Sequence, residues 1–265
     1  MQLGVGHDDA DVVAASAPRW MDRPIEAAQL LGQTLYWLFV GRRDPGALLA
    51  QMHAVGNRSA FFLSVTMGFI GVILVYQSGM QALRVLPDLS LLGATFAELL
   101  VRDLGPSIGA MPLATRVGAG IAAEMGSMAV TDQIDALRMS GAEPIDWLVV
   151  PRFVACVLAG SAVLIWGSAV AWVSAMGAAW VLFDVNPHTF ANFALVRPAD
   201  VVVGLLKCVL YGAAIAIVSA HCGLRARGGS EGVGRATTEA VVGSCLVVIV
   251  LNFAVSTTAY LLVPP

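Results

Sequence analysis

The 265-residue chain is 58% hydrophobic and 12% charged, with a formal net charge of −3 and a mean hydropathy of +0.79. Soluble domains carry about 25% charged residues, so this composition excludes an ordinary soluble globule and makes the bilayer the solvent for most of its surface. A single lysine, Lys207, and no dense basic cluster exclude a nucleic-acid footprint.

The chain opens on "MQLGVGHDDADVVAASAPRW", which lacks the basic start and long apolar core of a signal peptide and reads as a disordered cytoplasmic tail over residues 1–23. Pro24–Val40 and Pro45–Val55 are apolar on one side but too short or interrupted to cross. They read as amphipathic helices lying in the cytoplasmic interface, within 24–58, with Tyr36 and Trp37 at headgroup depth. A full span over 25–40 is the rival reading.

A spanning helix needs about 20 mainly apolar residues. Ala60–Gly79 is the first such run and opens a transmembrane domain expected over 59–265. The apolar tract Leu89–Met128 is broken at "VRDLGP" (Val101–Pro106). Forty helical residues would measure about 60 Å, twice the hydrocarbon thickness. Leu89–Arg102 is therefore expected as a re-entrant or external segment and Leu104–Met128 as the second span. Trp147–Phe183, Val201–Gly223 and Ala240–Val263 complete five spans in an all-α polytopic membrane protein.

Arginines orient it. Arg19, Arg23, Arg42, Arg43 and Arg58 precede span one, Arg138 and Arg152 flank the loop between spans two and three, and Arg225, Arg227 and Arg235 fill the loop between spans four and five. The opposite loops hold only Arg84, Arg102 and Arg197. The N-terminus is expected in the cytoplasm and the C-terminus outside.

The loop after span two, "AVTDQIDALRMSGAEP" (Ala129–Pro144), is polar against this background. Thr131 reads as an N-cap, and Asp132 favours the positive helix start. Val130, Ile134 and Leu137 recur at helical spacing, Asp135 and Arg138 form an i,i+3 pair, and Gly141 and Pro144 stop the helix. The result is a short amphipathic helix on the cytoplasmic side, equally suited to a capped loop or a docking element.

Charges inside spans are costly. Arg116 and Glu124, eight residues apart, share a helix face near the inner end of span two, and Lys207 lies in span four. They are read as an internal network holding spans two and four together or as a handle for an anionic lipid head. Glu98, Arg102 and Asp103 read as solvated in an interfacial segment. Gly105, Gly109, Gly118, Gly120 and Gly126 give span two a small-residue face for close packing. Cys156, Cys208, Cys222 and Cys245 lie in apolar runs without metal or redox spacing, and His221 beside Cys222 has no companion ligands. No metal site is expected.

"TRVGAGIAAEMGSMAVTDQIDALRMSGAEPIDWLVVPR" (Thr115–Arg152), together with "FIGVILVYQ" (Phe69–Gln77), "RDLGP" (Arg102–Pro106) and "GRATTEAVVGSCLVVIVLNF" (Gly234–Phe253), resembles the MlaE/YrbE family of ABC transporter permeases, of the actinobacterial YrbE type. Asp132, Glu143 and Thr115 stand where that family usually has Glu, Asp and Gly. The resemblance implies a lipid-moving permease subunit of the inner membrane that works with MCE-domain proteins on the outer side. Its cargo would be a membrane lipid of the fatty acid, mycolic acid or sterol class. It also implies a second YrbE-type permease, identical or not, and a cytoplasmic P-loop ATPase docked on a coupling helix at Thr131, Asp132, Gln133, Ile134, Asp135, Leu137 and Arg138. Phe69, Ile70, Ile73, Leu74, Tyr76 and Gln77 would line a lipid cavity.

No phosphate-binding loop is present, since the only lysine is followed by Cys208 rather than Ser or Thr. ATP and magnesium would be bound by the partner, leaving this chain without catalytic residues. An ion-coupled secondary transporter is the alternative, but it usually shows an internal repeat, and five spans do not halve. An intramembrane protease would need a nucleophile with its base, or paired membrane aspartates; the chain has no GxSG, and its aspartates cluster in loops.

Overall fold

The computed structural model describes residues 22–41, 45–85 and 89–262. Most of the expected tail, residues 1–21, lies outside them, as do Arg19, Arg42, Arg43 and Val263.

Helix α1, Asp22–Val40, packs across the start of α5 and the end of α7. Helix α2, Pro45–Val85, is one continuous rod of 41 residues. The short interfacial helix expected at Pro45–Val55 is therefore the first part of the first membrane helix, and the boundary expected at residue 59 falls inside it. Its polar residues Gln51, His53, Asn57 and Arg58 made the joint look like a break, but none of them is a helix breaker.

Residues 92–130 form α3, built from α-helical segments Leu92–Leu99, Gly105–Leu113 and Ala119–Val130 joined by π turns at Leu100–Leu104 and Ala114–Gly118. The expected re-entrant segment is thus part of the same helix as the second span. Proline lacks an N–H and clashes with the carbonyl four residues back. Widening the helix by one residue relieves both problems, and the π turns sit just before Pro106 and just after Pro112.

After α4, Gln133–Met139, helix α5 runs over Ile145–Phe183. It carries further π turns at Ile145–Val149, between Pro144 and Pro151, and at Cys156–Gly160. The short α6, Pro187–Phe190, leads to α7, Pro198–Leu224, and α8, Gly229–Leu262.

Among the described residues four helices are long and apolar enough to cross a membrane: Pro45–Arg84, Ile145–Phe183, Pro198–Leu224 and Gly229–Leu261. They correspond to four of the five expected spans. The fifth, α3, runs the same distance between them, from Phe96 beside Phe190 of α6 at one end to Gly126 beside Ala226 and Val233 at the other. Arg102, Asp103, Arg116, Glu124, two prolines and several glycines lower its apolarity, and α2, α5, α7 and α8 pack around it. It is the central rod of the bundle.

Glycines set these distances. The backbone of α7 at Gly204 lies against the Val101 carbonyl of one π turn, and at Gly212 against the Cys156 carbonyl of another. Gly105, Gly109, Gly118 and Gly126 of α3 contact Ser168, Leu164, Ser219 and Ala226, so the small-residue face packs inside the subunit. Cys156 and Cys208 are buried, Cys222 and Cys245 half-buried, and none of the four is joined in a disulfide.

Candidate functional site

Three features stand out: the short helix α4, a buried polar cluster in the bundle, and two clefts. Helix α4 is held between two left-handed residues, Asp132 at φ 57° and Gly141 at φ 81°. Asp and Gly tolerate that conformation best, which gives Asp132 a backbone role. The side chain of Asp132 makes no capping bond. Thr131 is not the N-cap: it terminates α3, and its Oγ1 donates to the Ser127 carbonyl at 2.8 Å.

The far end closes with Gly141 N–H donating to the Arg138 carbonyl and Ala142 N–H to the Leu137 carbonyl. Ile134 is buried and Leu137 half-buried, anchoring α4 to its own protein. Thr131, Asp132, Gln133, Asp135, Ala136, Arg138 and Met139 are exposed. Asp135 and Arg138 pair at 3.0 Å, with about two thirds of each side chain exposed, a geometry that contributes little stability. A rigidly held, seven-residue helix therefore presents a polar rim and the 85%-exposed Met139 at one end of the bundle.

The buried cluster centres on Lys207, which is fully buried. Its Nζ donates to Asp103 Oδ1 at 2.6 Å, Asn252 Oδ1 at 2.8 Å and Ser256 Oγ at 2.7 Å. Three donors meet three acceptors, which is the satisfaction a buried ammonium requires. Tyr211 Oη donates to Asn252 Oδ1, and Ser107 Oγ to Asp103 Oδ1. The cluster ties α3, α7 and α8 together, with Asp103 supplied by the π turn before Pro106. On that same turn Arg102 pairs with the buried Asp200 at 3.2 Å. Arg102 and Asp103 are thus structural partners and not simply solvated.

The expected trio of Arg116, Glu124 and Lys207 is split. Lys207 meets neither of the others. Glu124 accepts from the buried Arg152 at 2.8 and 3.2 Å, joining α3 to α5. Arg116 is exposed and lines a cleft. Asn252, Ser256 and Arg152 were missed as partners because nothing in linear spacing connects residues 28 to 49 positions apart.

One cleft, of about 490 Å³, lies between the start of α2 and the α4-proximal part of α3, with Arg58 and Arg116 on its walls. The other, of about 400 Å³, is apolar and lies between α3, α5 and α7, lined by residues such as Leu100, Pro106, Trp172, Phe193 and Leu205. The six residues expected to line a lipid cavity belong to neither cleft. Phe69, Ile73, Tyr76 and Gln77 are exposed on α2, Ile70 and Leu74 pack partly on the core, and Tyr76 stacks on Phe183 with ring centres 6.3 Å apart.

Residues 48–258 match the family described as Permease MlaE. The chain belongs to the MlaE permease family. It is similar to a probable ABC transporter permease protein of Synechocystis, with 35% identity over 89% of this chain and 90% of that protein. A probable ABC transporter permease protein of Rickettsia prowazekii is 33% identical over 79% of this chain and 81% of its own length. The chloroplastic Arabidopsis protein trigalactosyldiacylglycerol 1 is 29% identical over 91% of this chain and 69% of its own length. The MlaE match includes α2 almost whole, α3, α4 and the Lys207 cluster. This MlaE permease is the multi-pass membrane subunit of a transporter, and membership of an ABC transporter family implies an ATPase partner.

Proposed function

We propose that this MlaE permease moves lipids of the fatty acid, mycolic acid or sterol class across the inner membrane, and that α4 is the coupling helix on which a separate P-loop ATPase docks. The observation that carries the reading is α4 itself. It is a short helix fixed by Asp132 and Gly141 between the two long helices α3 and α5, with its apolar side anchored and its polar rim free. A push on that rim is transmitted to both rods. ATP and magnesium belong to the partner.

The α4 end is assigned to the cytoplasm, since Arg58, Arg138, Arg152, Arg225, Arg227 and Arg235 gather there and basic residues favour that side. The N-terminus then lies inside and the C-terminus outside. The apolar cleft beside Trp172 suits an acyl or sterol skeleton. The Arabidopsis relative carries the name of a galactolipid, which agrees with a lipid cargo. The exposed face of α2 at Phe69, Ile73 and Tyr76 is the surface that a second YrbE-type permease would close into a cavity, with MCE-domain proteins continuing the route outside.

Asp135→Lys combined with Met139→Glu changes only exposed side chains. Affinity purification of the tagged double variant is expected to recover at least tenfold less ATPase than wild type, at an unchanged melting temperature. Equal recovery and equal lipid transport would remove α4 from the coupling role. Pull-down of wild type without an ATPase, a second permease or MCE proteins would overturn the assembly.

A further inference from the structure

The two helices that carry α4 are interrupted at matching depth. On α3 the twelve residues Ala119–Val130 separate α4 from the π turn Ala114–Gly118. On α5 the residues Ile145–Ala155 lie between α4 and the π turn Cys156–Gly160. At about 1.5 Å per residue these two arms measure about 18 Å and about 17 Å. The π turns are neighbours, since Gly160 faces Leu113, and both rest on α7. A Cβ at Gly212 would strike the Cys156 carbonyl, and Gly118 lies against Ile215 and Ser219. Between the π turns and α4, the buried Arg152 of α5 donates to Glu124 of α3 at 2.8 and 3.2 Å, which clamps one arm to the other.

Beyond the π turns the outer halves are locked. Asp103 and Arg102 hold α3 to Lys207 and Asp200 of α7, and Gly71 lets α2 close on the Ala171 carbonyl of α5. The inner half of α3 meets its neighbours through small residues, with Gly118, Ala122 and Gly126 set against Ser219, Gly223 and Ala226. Smooth contacts of this kind permit packed helices to slide. On the α2 side lies the 490 Å³ cleft, where a side chain at Gly120 would meet nothing within 4 Å. Three serine hydroxyls surround the same turns: Ser59 of α2 in the cleft wall, and Ser219 of α7 and Ser244 of α8 beside Gly118. All three residues are at most 1% exposed, and none of the hydroxyls has a hydrogen-bond partner among the described residues. A helical serine can donate to the carbonyl four residues back, as Ser64, Ser161 and Ser168 do here. An unpaired buried hydroxyl is costly, so this position of the inner half leaves polar groups that a second position can satisfy.

We infer that α4 and the inner ends of α3 and α5 form one rigid arm, clamped by Glu124 and Arg152, that pivots on α7 at the paired π turns and swings into the cleft beside α2. Sharp bends in helices are found at π bulges and prolines, and here two such points lie together. A bend of about 20° on an arm of about 18 Å displaces α4 by about 6 Å. The outer halves stay in place, and the Lys207 cluster with them. The inference deepens the coupling role of α4, and it rests on that role for what drives the arm but not for the existence of the joint.

The test uses the full-length chain in lipid nanodiscs, alone and with its associated subunits, with Cys156, Cys208, Cys222 and Cys245 replaced by alanine. Spin labels are placed in pairs at exposed positions, His53→Cys with Glu143→Cys at the α4 end and Thr95→Cys with Thr258→Cys at the other. In the chain alone, the distance distribution of the first pair is expected to be at least twice as broad as that of the second. Gly120→Leu, which fills the cleft, should narrow the first to the width of the second. Gly177→Leu, equally unhindered on the outer half of α5, should not. In the complex, a non-hydrolysed ATP analogue with magnesium should shift the first pair by about 6 Å, the displacement of the bent arm, and leave the second unmoved. Equal widths in the chain alone overturn the joint. A nucleotide shift shared by both pairs also overturns it, because α3 would then move as one rod. A complex without an ATPase, or with one whose nucleotide moves neither pair, removes the coupling role, and the widths in the chain alone still decide the joint. On the chain with its native cysteines, Ser59→Ala/Ser219→Ala/Ser244→Ala should raise the melting temperature by about 3 °C, since it deletes unpaired hydroxyls. A fall would show those hydroxyls to be satisfied already and would overturn the inference.

Discussion

Asp103→Leu is expected to lower the melting temperature of the detergent-purified protein by roughly 6–12 °C, from about 3 kcal/mol of lost stability. The substitution leaves the ammonium of Lys207, which has no exposed surface, with only the neutral acceptors Asn252 and Ser256. An unpaired buried charge costs more than a buried pair contributes. The double variant Asp103→Leu/Lys207→Met removes both charges together, so it should be more stable than Asp103→Leu alone. That reversal identifies the charge imbalance as the cause. If the double variant is the less stable of the two, packing by these side chains outweighs their electrostatics. Fluorescence-monitored unfolding of the wild type, Asp103→Leu, Lys207→Met and the double variant gives the complete cycle.

Gly204→Ala is expected to be nearly as damaging, although the residue is in the interior of a helix where alanine has the better propensity. Propensity alone favours the change by about 1 kcal/mol. The new Cβ would collide with the Val101 carbonyl, and backbone cannot yield as a flexible side chain can. Forcing α7 away from α3 costs typically 1–3 kcal/mol in overpacking. It also pulls Lys207 and Asp200 from Asp103 and Arg102, since all four span that same contact. The net expectation is a destabilisation of about 2 kcal/mol. Gly177→Ala on α5, where a Cβ meets nothing within 4 Å, is the control and should be neutral or mildly stabilising. Comparable melting temperatures for the two alanine variants would show that α7 can move away from the π turn without cost.

The two variants probe one device. The π turn Leu100–Leu104 turns Arg102 and Asp103 towards α7, and Gly204 lets α7 approach near enough to meet them. π turns are concentrated at functional positions, and this one lies in the stretch "RDLGP" that the family resemblance includes. The sequence shows Gly105–Pro106 plainly, but reading them as a break was the natural inference from composition. A helix that widens instead of ending keeps its axis, and this is why the external segment and second span expected separately are one rod.

The α4 loop was more legible. Its short length, the Asp135–Arg138 pair, the apolar spacing of Ile134 and Leu137 and the stop at Gly141 all follow from local rules, and the fold reproduces them. The cap was misplaced by one residue, because Thr131 is an ordinary N-cap type while the left-handed backbone of Asp132 is set by the packing of α3 against α4.

What the sequence by itself determined is what solvent and local chemistry decide. Apolar runs longer than a bilayer require helices that satisfy their own backbone. Charge bias separates the two ends, and ordered motifs place the chain among MlaE permeases. What only the tertiary structure decided is who meets whom. Lys207 finds Asp103 and Asn252, Glu124 finds Arg152, and Arg58 and Arg116 come to line one cleft. Those contacts depend on the rotation of each rod about its axis and on its depth beside its neighbours. Both are set by glycine contacts and π turns distributed over several helices, and a linear pattern specifies neither.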